Sequence, residues 1–155
     1  MDKEQKNIVP FVKYHTGLSY LLSPAESRFL IHMVDVQYMK SMGYYTDWTR
    51  AEYMKRMGLN EYSYERCVRK FINLGLLSKT NNAKGNRVYY ALNMDIYEKL
   101  VTILSSTNNV DKLIEFCDTK LKKGRTIASI TQQEIDGLKS DHGLKKLHPS
   151  TYPVK

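Results

Sequence analysis

The 155-residue chain contains little cysteine: Cys67 and Cys117 are its only two. Each falls within an apolar helical pattern, which suits a small buried hydrophobe. A reducing compartment disfavours a disulfide between them. Zinc ligands would have to group at short spacing, and none do. Long apolar runs are also absent. Nothing approaches the roughly 20 apolar residues that a membrane span needs. The opening Met1-Asp2-Lys3-Glu4-Gln5-Lys6-Asn7 lacks the apolar centre of a signal peptide. Cytoplasmic residence without a membrane partner is the expectation. Catalytic groupings are missing too. The four histidines, His15, His32, His142 and His148, belong to no visible Ser/His/Asp set, and neither paired carboxylates nor a phosphate-cradling glycine loop stands out. Neither enzymatic activity nor a cofactor is expected. His32, on an apolar helix, reads as a hydrogen-bonded core histidine.

What is present is a core-forming composition and an uneven positive charge. Hydrophobic residues make up 42% of the chain, enough for a packed core. The net charge is +8. Residues 1–48 are balanced, with five basic and five acidic side chains. Residues 49–92 hold nine basic and three acidic side chains, a net of +6, and residues 93–155 carry only +2. A localised basic block is the footprint of a polyanionic partner, although a solvated face tuned for solubility has the same composition.

Helix punctuation divides the chain. The stretch 8–22 is apolar and broken by Pro10 and Gly17, and reads as an arm, a strand or a short helix. Ser23-Pro24-Ala25-Glu26 is a capping box with proline at the first helical position. It predicts a central helix to about Met42, ended by Gly43. Tyr44–Trp48 suits a short strand. Thr49-Arg50-Ala51-Glu52 opens a second helix to Met57, Gly58-Leu59-Asn60 makes a turn, and Asn60 caps a third helix over 61–74 that stops at Gly75. Leu76–Lys79 and Arg87–Leu92 read as strands joined by a turn-rich loop. Asn93 caps a further helix, another is expected over 110–123, and Thr131 starts a last one over 132–140. The division is an N-terminal arm (1–22), a central domain (23–93), a C-terminal helical extension (94–140) and a loose tail (141–155).

The third helix carries the chemistry. At about 100° per residue, Tyr64, Cys67, Val68, Phe71, Ile72 and Leu74 share one face. Tyr62, Arg66, Arg69, Lys70 and Asn73 lie opposite. Arginine donors form a fixed fork that fits a guanine edge or a phosphate, and asparagine can pair with adenine. The early turns of such a helix reach bases. Tyr62, Ser63 and Arg66 are therefore candidates for base contact, and Arg69 and Lys70 for phosphate contact, with Asn73 a weaker one. A solvated basic face is the plain alternative. Lys79, Lys84 and Arg87 in the hairpin suit phosphates or a minor groove, or are incidental surface charge. Thr49 and Arg50 stand where a helix N-terminus can hold a phosphate, although Thr49 reads first as a cap.

The residues Leu22 to Glu26, Trp48 to Met54, Gly58-Leu59, Tyr64 to Phe71 and Leu74-Gly75-Leu76-Leu77, followed by the Lys84-Gly85-Asn86 loop, resemble winged helix-turn-helix domains. The likeness is to plasmid and phage replication initiators and to MarR-like regulators, and it covers about 70 residues. It implies a mainly helical fold with a small β-hairpin, a third helix and wing that bind double-stranded DNA, and a role in transcription or replication. Tyr62 and Tyr64 depart from the small polar residues commoner at those positions. The helices after residue 93 could pair with a second copy, as symmetric half-sites favour dimers. Rival readings are a protein-interaction module without DNA binding and a single-strand or RNA binder using surface tyrosines. The cluster Tyr38, Met39, Met42, Tyr44 and Tyr45 reads first as core packing, with a partner pocket as the alternative.

Overall fold

The structure, a computed structural model, describes residues 14–81 and 88–139. Helices begin where a side chain can take up a free backbone amide. In α1 (Pro24–Ser41) the Ser23 hydroxyl accepts from the Glu26 amide at 3.2 Å, and the Glu26 carboxylate accepts from the Ser23 amide at 2.8 Å. In α2 (Arg50–Met57) the Thr49 hydroxyl accepts from the Glu52 amide, and in α3 (Glu61–Asn73) the Asn60 side chain accepts from the Ser63 amide. Gly58 (φ 66°) and Gly75 (φ 80°) end these two helices in the left-handed region, where a side chain would be strained. The turn between α2 and α3 is therefore short and fixed.

The strands β1 (Leu77–Asn81) and β2 (Val88–Leu92) form one antiparallel pair, with Leu77 opposite Leu92 and Lys79 opposite Tyr90. Alternation puts Val88, Tyr90 and Leu92 inward. Then come α4 (Met94–Leu104, capped by Asn93), α5 (Val110–Phe116, capped by Asn109) and α6 (Gln132–Lys139). The chain is thus mainly helical with a small two-stranded sheet. No helix among the described residues is long and apolar enough to cross a membrane.

One apolar cluster runs from Leu18 to Leu138. The stretch read as an N-terminal arm gives it Leu18, Leu21 and Leu22, and the C-terminal extension gives it Leu100, Ile103, Leu104, Leu113, Phe116 and Ile135. Phe29 of α1 lies at an aromatic centre. It stacks on Phe71 of α3 (5.4 Å between centroids) and meets Tyr64 and Tyr90 edge-on. The Tyr64 and Tyr90 hydroxyls bond to each other, and the Tyr53 hydroxyl donates to the Thr46 carbonyl. Burial pushes all three phenols above their ordinary range. The ring cluster thereby ties α1, α2, α3 and β2 together.

Several expectations are corrected. Residues 44–48 form no strand. The Val88 amide of β2 reaches the Trp48 carbonyl at 3.5 Å, and only an isolated bridge is formed, at Thr49. Of the three readings of the stretch 8–22, a short helix is what its residues 16–20 form, a 3-10 turn held by the His15 ring accepting from the Gly17 amide. The helix expected over 110–123 stays regular only to Phe116, then widens into a π turn at Cys117–Leu121 that keeps both ends buried. His32 is half-buried at a groove between α1 and α2 rather than in the core, and burial lowers its pKa. Ile72 is 41% exposed, because it lies at the edge of the core stripe, about 80° round the helix from Tyr64. Tyr38, Met42, Tyr44 and Tyr45 are exposed and do not pack in the core. Cys67 and Cys117 are buried free thiols, both raised to about 11 chiefly by burial.

Candidate nucleic-acid interface

The inward face of α3 fixes what its outward face presents. Tyr64, Cys67, Val68 and Phe71 are buried against the rest of the core, so the opposite side of the helix must face solvent. Tyr62, Arg66, Arg69 and Asn73 fall within about 60° of one another on the helix surface. All four are exposed, Tyr62 at 71%. The Arg66 guanidinium lies over the Tyr62 ring, 5.6 Å from its centroid. Neither Arg66 nor Arg69 has an ion-pair partner among the described residues. Ser63 sits at the edge of the face, half-buried, with its amide used by the Asn60 cap.

Two cations expected on phosphates are engaged within the chain. Lys70 turns back across the helix edge. Its Nζ lies 2.8 Å from Glu26 Oε1 and 3.1 Å from the Leu21 carbonyl. The cause is Glu26, which the capping box holds in a nearly buried place where its charge needs a partner. Arg50 crosses from the first turn of α2 to the first two turns of α3. Its Nε donates to Glu65 at 2.7 Å, and its terminal nitrogen lies 3.2 Å from Glu61. Arg50 therefore neutralises the acids that flank the exposed face. Thr49 serves as a cap. No local pattern announces the Arg50 bridge; its trace in the sequence is the pair Glu61 and Glu65, one helical turn apart behind a short turn.

Burial alone would raise the Glu26 pKa, but hydrogen bonds from Lys70 and the Ser23 amide outweigh it and hold the carboxyl below its ordinary value. A depressed folded pKa stabilises the fold above the unfolded value, and that gain is lost as pH falls through the folded one. Urea midpoints between about pH 3 and 7 should therefore drop below about pH 4.5. Glu26→Gln should lower stability at neutral pH and flatten that drop. An unchanged acid limb in the variant would show that Glu26 does not contribute.

The hairpin lies directly after α3. Lys79 is exposed on β1, whereas Lys84 and Arg87 lie outside the described residues, as do His142, His148 and the segment 141–155. Lys40 of α1 donates to the Tyr90 carbonyl on the open edge of β2, and burial lowers its pKa. Among the described residues no group of three or more His, Cys, Asp or Glu side chains is placed to hold a metal ion. The groove beside His32, lined by Asp35, Met39, Trp48 and Arg56, holds about 200 Å³. Arg56 there lies 4.0 Å over the Trp48 ring and pairs with Glu52. No family model, curated protein or solved structure matches the chain.

Proposed function

We propose that this chain is a winged helix-turn-helix protein that binds double-stranded DNA, with α3 in the major groove and the β1–β2 hairpin along the backbone. The observation that carries this reading is the exposed stripe Tyr62–Arg66–Arg69 on a rigidly seated helix. Its two arginines have no acidic partner among the described residues, while neighbouring Arg50 and Lys70 do. A guanidinium left free in water and held on a convex helix suits a guanine edge or a phosphate. Arg66 reaches bases, Arg69 and Lys79 reach phosphates, and the Arg50 bridge removes the repulsion that Glu61 and Glu65 would otherwise exert on the backbone. The biological setting is transcriptional regulation or replication of a mobile element such as a plasmid or phage. The proposal includes a homodimer on symmetric half-sites. Val110 and Ile114, exposed on α5, offer its contact, since the other face of that helix serves the chain's own core.

A second reading has its own observation. Tyr38, Met42, Tyr44 and Tyr45, three tyrosines and a methionine at and just beyond the end of α1, are exposed, which suits a protein-interaction module that has the same fold and binds no DNA. Salt dependence separates the two. With about four phosphates neutralised, the logarithm of duplex affinity should fall against the logarithm of salt with a slope of about −4. Fluorescence titration of a labelled duplex at several salt concentrations measures it. A flat response, or no binding at low salt, favours the interaction module.

A further inference from the structure

Resting on the DNA-binding reading, we infer that Tyr62 and Arg66 act as one reading unit for a 5-methylpyrimidine beside a guanine. Two observations point there. Tyr62, the second residue of α3, is 71% exposed, at the end that enters a groove first. Arg66, one turn on, holds its guanidinium over that ring at 5.6 Å. The core does not need this tyrosine, because Tyr64 fills the buried aromatic position.

The pair combines two chemistries. A guanidinium resting on an aromatic face loses less freedom when it binds, and its flat fork matches the O6 and N7 acceptors of guanine. The tyrosine ring beside it is an apolar surface, and in the major groove the apolar group on a base is the 5-methyl of a pyrimidine. Ring and fork are adjacent, so methyl and guanine must be adjacent too. Arg50 holds Glu65 from the other side, which keeps that carboxylate from drawing Arg66 off the ring. Thymine and 5-methylcytosine share the methyl, so both fit.

The test begins with selection of duplexes by the full chain from a random library. Selected sites should contain a thymine–guanine step. Replacing that thymine by deoxyuridine removes only the methyl and should weaken binding about threefold to fivefold. Replacing the guanine by 7-deazaguanine removes one acceptor and should weaken it about tenfold. A cytosine–guanine step in the same place should gain when the cytosine is methylated. Gain at thymine alone assigns the unit to thymine. Tyr62→Ala, an exposed change, should weaken binding to the level of the methyl-free duplex and erase any further effect of removing the methyl. Sites without such a step, or indifference to the methyl with duplex binding intact, would overturn this inference alone. Failure to select any duplex would overturn the DNA-binding reading and this inference with it.

Discussion

Replacing Arg66 and Arg69 together by alanine is expected to weaken duplex binding about a hundredfold, one base contact and one phosphate contact being lost. The fold should not notice. Both side chains are exposed and pair with no acid among the described residues, so thermal stability should stay within about 0.5 kcal/mol of the parent. The salt slope should become shallower by about one. Changes elsewhere sharpen the comparison. Lys70→Ala removes a cation from the same helix, but one that is committed to Glu26. It should lower stability, because it leaves a nearly buried carboxylate without its partner, and should alter affinity far less. Band shifts and thermal melts on the same preparations check both. If Lys70→Ala costs more affinity than the two arginines, the groove-facing stripe has been assigned to the wrong side of α3.

The second large effect is on stability. Phe29→Ala should cost about 4 kcal/mol, near the middle of the range for emptying an aromatic site in a core. Phe29 is fully buried, stacks on Phe71 and meets the edges of Tyr64 and Tyr90, so no single neighbour can close the space. For a chain of this size that loss lowers the melting temperature by about 12 °C. Phe71→Ala should cost a similar amount, and the double variant less than the two combined, since the stacked pair is counted in both single changes. Additive losses in such a cycle would mean the two rings do not support each other. Because Phe29 joins the core side of α3 to that of β2, the variant should also bind DNA less tightly at temperatures near its melt.

Much of this architecture is legible in the sequence because its helix starts are local events. Ser23 with Glu26, Thr49 with Glu52, Asn60, Asn93 and Thr131 with Glu134 each act within three residues. Such pairs need no knowledge of the rest of the chain. Core positions early in α3 follow from helical period for the same reason. What escaped depends on distant segments. The partner of Lys70 lies 44 residues away, and Arg50 meets acids 11 and 15 residues on. Those pairings decide which cations of the site are left for a ligand, and no helical wheel contains them. A helical wheel gives Ile72 to the core stripe, but only at its edge, about 80° from Tyr64, and how far the packing reaches round the helix is a tertiary matter that no wheel contains. The π turn at Cys117–Leu121 is likewise a tertiary adjustment, made where two buried side chains must face one core.

The most direct measurement is an amide NMR titration of the labelled chain with a short duplex. The DNA-binding account predicts that the signals of Tyr62, Ser63, Arg66 and Arg69 shift first and farthest, with smaller changes at Lys79. Shifts confined to Tyr38–Tyr45, or a spectrum unmoved by duplex at low salt, would contradict it.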